Sequence, residues 1–422
     1  MKILLVSRRS YPEVIGGGQL SAHHIARALV DAGHDVRVLT FVTDGKRVDE
    51  VLDNVMITRL LIRELRWFPR FSNLEWMYHE MRRQTARFLS EFTPDVIHAL
   101  NGESVPAIAP LARRRNIPWV ATVNGPWLFC FPGEGTDGKG ENCIGCHGKK
   151  RFHETMLKWG NKGLLSKIKA FLYWLYSYPH MRLLRTTTFQ ATRLIAVSNA
   201  WRDELSKLGA PSERIAVVPN PMDVHTKANS KAKQQLNIPQ QAPVLFFAGR
   251  FTESKGVQQT IRALVKLPDA HFIVAGKGPY ESNLRALAKQ LLVEQRVHFI
   301  GFLPNEQLAP YYSIADVVLM PGTFYESLGR MLLEACSYGI PVIATNRAGN
   351  PDIITHGVNG YLLETQDVDE LVQRITDIIR HPARAKTMGA AARQKIIVEF
   401  APARIARELT DAYRDAIAAR RH

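Results

Sequence analysis

No apolar run in this chain of 422 residues approaches the ~20 residues that cross a bilayer, and the nearest, AFLYWLYSY from Ala170, reaches about half that length. Any membrane contact is therefore expected to be peripheral. The opening MKILLVS runs straight into Arg8 and Arg9 and lacks the apolar core and cleavage site of a signal peptide, so it reads as a first β-strand. Cysteine is scarce. Four residues, three of them in one loop, are not a secreted disulfide framework in a chain this long, and they point to a reducing, cytoplasmic setting. Acidic residues are also short: 39 against 55 basic ones, a formal net charge of +16. That excess attracts something anionic, whether nucleic acid, an acidic membrane surface or a phosphorylated small molecule. With 46% apolar and 22% charged residues and no low-complexity tract, the composition is that of a globular protein, long enough for two domains.

Short apolar runs alternate with helical patterns along the whole chain. KILLVS, DVRVLTF, DVIHAL, PWVATV, RLIAVS and RIAVVP come first, then VLFFAGR, HFIVAGKG, VHFIGFL, DVVLMP, PVIATN and GYLL. This alternation is the mark of βαβ units and predicts an α/β fold of two doubly wound parallel sheets, with the seam in the polar stretch between Pro221 and Val244. Ligands of such sheets bind beyond the carboxyl ends of the strands. The residues there are Gly16, Gly17 and Gly18 ahead of a helix, Arg250 and Lys255 after VLFFAG, Lys277 after HFIVAG, and FYESLGRMLLEACSYGIPVIAT after DVVLMP.

The last motif holds Glu326 and Glu334. With a helix starting near Leu328, the two carboxylates stand about 12 Å apart along its axis, at 1.5 Å per residue. The paired acids of glycoside hydrolases are roughly 5–9.5 Å apart, so these two are not an acid/base pair on one bond. They suit the two ends of an elongated ligand, with the N–H groups of Ser327, Leu328 and Gly329 binding an anion between them. Hydroxyls at both ends and phosphates in the middle describe a nucleotide-sugar. Arg250 and Lys255 supply the charge to neutralise a diphosphate leaving group.

AGRFTESKG, AGKGP, FIGFLP and YESLGRMLLEACSYGIPVIAT, in that order, together with IGGGQLSAHHIARALVDAGHDVRVLT and AVSNAWRDELSKLGAPSERIAVVPNPMD, resemble the retaining glycosyltransferases of family 4 over nearly the whole chain. The resemblance implies the GT-B architecture, two Rossmann-like domains facing across a cleft: an N-terminal acceptor-side domain, residues 1–222, a nucleotide-sugar domain, 223–399, and a final helix, about 400–422, returning to the first. It implies that Glu326 holds the donor sugar and Glu334 the ribose. Arg250 and Lys255 bind the diphosphate with Lys277 nearby, Ser327, Leu328 and Gly329 offer backbone N–H groups, and Gly17 and Gly18 permit close backbone approach. No metal is required for the chemistry, since the basic pair and the helix dipole take that place. A glycan or a polyprenyl-diphosphate-linked precursor of a cell-surface polysaccharide or lipopolysaccharide is the expected acceptor, and the basic and aromatic residues near 158–185 suggest docking on the inner face of the membrane that bears it. One departure stands out: VATVNGPWLFC carries Asn124 where many members have a histidine, and an amide cannot titrate near neutral pH.

CFPGEGTDGKGENCIGCHGKKRFH spaces Cys130, Cys143 and Cys146 as C-x12-C-x2-C, with His147 or His153 as a fourth ligand. Structural zinc, an iron–sulfur cluster and free thiols all fit one CxxC pair. From Thr155 to Arg202 there is no acidic residue but eight basic ones interleaved with aromatics, a pattern that fits either an anionic lipid surface or helices packing their rings inward. A nucleotide-sugar epimerase or phosphorylase on the same architecture is the rival among enzymes. A nucleic-acid-binding protein is the rival by charge, but no reading motif supports it, so nucleic acid is not expected as a partner. GGGQLS lacks the G-x-G-x-x-G spacing of a dinucleotide site.

Overall fold

The computed structural model describes residues 1–9, 11, 17–63, 70–129 and 163–420, and these form two compact units. The first holds the described residues up to Pro221 together with the helix Pro402–Ala418; the second is Met222–Ala401.

Among the described residues the first unit is built on an eight-stranded sheet. In chain order its strands are β1 Lys2–Val6, β2 Asp35–Val42, β3 Val48–Leu52, β4 Val55–Leu61, β5 Val96–Ala99, β6 Trp119–Val123, β7 Arg193–Ala196 and β8 Ile215–Val217. The spatial order is β3-β4-β2-β1-β5-β6-β7-β8, parallel throughout except for β3 against β4. Helices cover both faces of a parallel sheet, which is why Ile3 to Val6 and Val96 to Ala99 are buried without alternation. The β3–β4 hairpin is absent from the sequence reading. Its two-residue loop, Asp53-Asn54, has φ of 50° and 62°, a left-handed pair that Asp and Asn tolerate and that matches strand twist.

The helix Pro402–Ala418 belongs to the core of this first unit. Ile405, Leu409 and Tyr413 pack with Ile3, Leu5 and Val96. His98 on β5 fastens it: Nδ1 lies 2.7 Å from the Tyr413 hydroxyl and Nε2 2.6 Å from Thr122 Oγ1. Complete burial holds the imidazole neutral, its pKa lowered to about 3.

The second unit has six parallel strands, β9 Val244–Ala248, β10 His271–Ala275, β11 Val297–Gly301, β12 Val317–Met320, β13 Val342–Thr345 and β14 Gly360–Leu363. Their order, β11-β10-β9-β12-β13-β14, is the doubly wound Rossmann arrangement, with its reversal point between β9 and β12. The polar stretch after Pro221 packs on this unit: the Ala228 N–H donates to Ser313 Oγ at 3.0 Å and Lys227 Nζ reaches the Ala315 carbonyl. Burial lowers the pKa of Lys227, with Asp316 opposing the shift.

Candidate active site

At the reversal point of the second sheet, the loops after β9 and β12 touch backbone to backbone. Gly256 has φ +79°, and a Cβ there would lie 2.5 Å from the Pro321 carbonyl; one on Gly322 would lie 2.2 Å from the Ser254 oxygen. The Phe324 N–H donates to that same oxygen at 2.9 Å. Glycine at both positions brings Lys255 and Glu326, 71 residues apart in sequence, into one ion pair. Both side chains are mostly buried, 17% and 20% exposed, and Lys255 Nζ also sits 4.0 Å above the Phe324 ring. Ser254, Lys255, Gly322, Phe324 and Asn350 line a shallow depression here, backed by Met320 and Thr345.

Arg250, on the same loop as Lys255, is exposed, and among the described residues no carboxylate pairs with it. Lys277, after β10, is exposed and lies 5.2 Å from the ring centre of Phe302, after β11.

Glu334 lies on the helix Arg330–Ser337 and is 5% exposed. Its carboxylate is gripped from three directions: Arg330 Nε at 3.0 Å from Oε1, the Tyr312 hydroxyl donating to Oε2 at 2.8 Å, and Asn305, whose amide turned to donate reaches Oε1 at 2.9 Å. Tyr312 is raised well above the usual tyrosine range by burial and by the neighbouring carboxylate, so it remains a donor. Behind it Tyr312 stacks on Tyr338 at 5.2 Å, and Tyr338 on His225 at 5.0 Å. Cys336 on the same helix is a buried apolar filler, its thiol pushed up to about 12 by burial.

The helix begins later than its sequence implies. Gly329 is the N-cap, extended at ψ 98°, and Arg330 is the first helical residue, not Leu328. The turn after β13 causes this: the Gly349 N–H donates to the Glu326 carbonyl at 2.9 Å, and a Cβ on Gly349 would lie 2.0 Å from the Ser327 oxygen. That close backbone contact holds Glu326 and Ser327 out of the helix. The first-turn donors are accordingly Gly329, Arg330 and Met331, with Ser327 and Leu328 on the approach.

In the first unit, Gly17 and Gly18 open the helix Gly17–Asp31. A Cβ on Gly18 would lie 3.8 Å from Asn124 Nδ2, an ordinary contact, so the surrounding protein does not compel glycine there. Asn124 donates to the Leu100 carbonyl at 3.0 Å, tying the segment after β6 to the segment after β5. Beside it the Trp127 indole lies against Gly102, where a Cβ would come within 2.5 Å. His23 is buried, stacked on Tyr11 and 2.8 Å from Asp53.

The sequence reading missed Tyr312, Asn305, Phe324 and Arg330. Only Arg330 carried a local signal, standing four residues before Glu334 on one helix. Cys130, Cys143, Cys146, His147 and His153 lie outside the described residues. Among the described residues, no group of three His, Cys, Asp or Glu side chains is placed to hold a metal ion.

The family model for Glycosyltransferase Family 4 matches residues 15–226, and that for Glycosyl transferases group 1 matches 228–395. The chain is 27% identical to a glycogen synthase of Mycobacterium tuberculosis over 421 residues, covering 95% of this chain and 91% of that protein. Its fold is that of the sucrose-phosphate synthase of Thermosynechococcus elongatus, with TM-score 0.75, 22% identity and 99% of each chain covered. It is likewise that of Anabaena Alr3699/HepE solved in complex with UDP and glucose, with TM-score 0.72, 20% identity and 97% and 98% covered. With two Rossmann-like sheets of the GT-B kind and both family models matched, the chain belongs to glycosyltransferase family 4 and is an enzyme of the glycosyltransferase type.

Proposed function

We propose that the protein transfers a sugar, with retention at its anomeric carbon, from a nucleoside-diphosphate sugar to a glycan or polyprenyl-diphosphate-linked acceptor in cell-surface polysaccharide or lipopolysaccharide assembly. The observation that carries this reading is the Lys255–Glu326 pair at the reversal point of the second sheet, with the exposed Arg250 on the same loop. The solved neighbour holding UDP and glucose supports a nucleotide-sugar donor.

In the unliganded chain the charge of Lys255 is taken up by Glu326. A donor diphosphate arriving near the first turn of the Arg330–Ser337 helix draws Lys255 and Arg250 onto its oxygens, with Lys277 at the margin. Glu326 is then free to accept hydrogen bonds from sugar hydroxyls, and Glu334, already oriented by Tyr312, Arg330 and Asn305, receives the ribose. Gly329, Arg330 and Met331 at the first turn, with Ser327 and Leu328 on the approach, offer their amides to the phosphates between them. The bond from the anomeric carbon to the β-phosphate oxygen breaks as the acceptor oxygen bonds to that carbon on the same face. The acceptor's proton passes to the departing phosphate oxygen. Charge growing on that phosphate is met by two cations already in place, in a setting that needs no metal.

In this reading the second unit is the donor domain. Gly17, Gly18 and Asn124 are the first unit's share in substrate binding, with Asn124 a neutral hydrogen-bonding group rather than a titrating one. A lipid-linked acceptor places the enzyme in the cytoplasm, peripheral on the inner face of an anionic membrane.

Thermal stabilisation across UDP, GDP, ADP and CDP tests the reading. One diphosphate at a hundredfold excess over its Kd should stabilise by about 2.7 kcal/mol. If none shifts the melting point, the reading fails. Turnover of the donor to an epimer, or its phosphorolysis, without any acceptor would favour the rival enzymes.

A further inference from the structure

The helix Leu164–Thr188 buries one face, and the described residues leave an apolar stripe on its other side uncovered. Ser177, His180, Met181, Leu184 and Thr188 are buried and recur every three or four residues along one side. Leu164, Leu165, Ile168, Phe171, Leu172 and Leu175 are between 46% and 77% exposed. At 3.6 residues per turn these six fall within an arc of about 120° that faces away from the buried set. Monomers seldom expose such a contiguous stripe without a use for it.

The geometry points to the surface of an anionic lipid bilayer as the occupant of this stripe, with the helix lying in the interface. No helix among the described residues is long and apolar enough to cross a membrane, so the mode is insertion of one face. The charge selects the lipid. Thr155 to Arg202 contains no Asp or Glu. Lys167 is exposed at the margin of the arc, and Arg182 is exposed two turns beyond Leu175 on the same side. Tyr178, 41% exposed just beyond the edge of the arc, is an amphipathic ring of the type that settles at the boundary of headgroup and hydrocarbon. A second copy fits less well: a symmetric dimer would set one acid-free, basic helix against another.

This deepens the reading of a lipid-borne acceptor and rests on it for the reason a membrane is approached; the surface itself is tested without donor or acceptor. The full chain is sedimented with vesicles of phosphatidylcholine alone and of phosphatidylcholine with phosphatidylglycerol at about one third, a composition giving a negative surface. Binding is expected to the anionic vesicles and to fall as salt rises. Phe171→Glu with Leu172→Glu should lower the partition coefficient about tenfold or more by placing charge on the inserted face. Lys167→Ser alone should lower it about fivefold, and on anionic vesicles only.

The nucleotide-induced melting shift of each variant, equal to that of the unaltered chain, shows that folding and the donor site are intact. Failure of the donor reading would appear there rather than in the vesicle assay. Equal binding to neutral vesicles, no binding to anionic ones, or a solution dimer dissolved by the double substitution would each overturn the assignment.

Discussion

The Tyr312 hydroxyl and Glu334 Oε2, 2.8 Å apart in a fully buried setting, fix which way the carboxylate faces before any ligand arrives. Tyr312 and the turned Asn305 amide hydrogen-bond to this carboxylate and Arg330 pairs with its charge, so the remaining hydrogen-bonding capacity is directed. Tyr312→Phe removes that one donor and nothing else from the ring stack. It should cost about 1–3 kcal/mol of stability and weaken nucleoside-diphosphate binding about three- to tenfold, with kcat nearly unchanged. Titration calorimetry beside thermal melts separates the two effects. A loss of stability with unaltered affinity would remove Glu334 from the nucleotide site.

Breaking the Lys255–Glu326 pair separates holding from turnover. Glu326→Gln keeps the shape and removes the charge that competes with phosphate for Lys255. Diphosphate affinity should stay level or rise, while kcat with acceptor falls by at least about 10² for loss of an interaction made at the reacting sugar. Lys255→Ala should do the reverse, weakening a diphosphate more than a monophosphate of the same base. Equal losses for both nucleotides would place Lys255 away from the β-phosphate.

Gly256→Ala probes the contact that joins the two loops. The substitution forces a side chain into a left-handed backbone and against the Pro321 carbonyl at 2.5 Å. A destabilisation of about 1–3 kcal/mol is expected from backbone strain, with the diphosphate-induced melting shift lost because Lys255 and Glu326 are no longer aligned. The measurement is a melt with and without nucleotide. A variant that keeps the full nucleotide shift would show that this contact does not build the site.

His98 makes stability depend on pH with a definite sign. Its pKa falls from 6.5 to about 3 on folding, so between those values the unfolded chain binds the extra proton. Its contribution is complete above 6.5 and shrinks as pH falls, by up to about 1.4 kcal/mol per unit. Melts between pH 5 and 7.5 should therefore be steeper for the unaltered chain than for His98→Gln. Parallel slopes would mean that the ring is not held neutral.

Strands were the most legible part of the sequence. Buried parallel strands are unbroken apolar runs, and KILLVS, VLFFAGR and PVIATN coincide with β1, β9 and β13. The β3–β4 hairpin was overlooked because Val48, Val51 and Leu52 alternate with charge at a sheet edge and lack such a run, although Asp53-Asn54 was a usable turn signal. The start of the Glu334 helix was misplaced because the constraint is Gly349, which lies 20 or so residues later and acts through its backbone. Tyr312 and Asn305 meet Glu334 only once β11 and β12 stand in one sheet with β10 and β9 between them, and no local pattern encodes that meeting. In the basic segment one side of the helix packs inward through Ser177, His180, Met181, Leu184 and Thr188 rather than through its Phe, Tyr and Trp rings, and an apolar stripe stays exposed on the other side.

The place of Pro402–Ala418 in the first unit bears on how the protein is made. Ile3, Leu5 and Val96 emerge from the ribosome early, yet the Ile405, Leu409 and Tyr413 side chains that cover them follow only after the whole of Met222–Ala401. At roughly 5–20 residues per second the wait is on the order of tens of seconds. During synthesis the second unit, whose described residues are continuous in sequence, can therefore close before the first one does, and the order of birth of the two units is reversed in their order of completion.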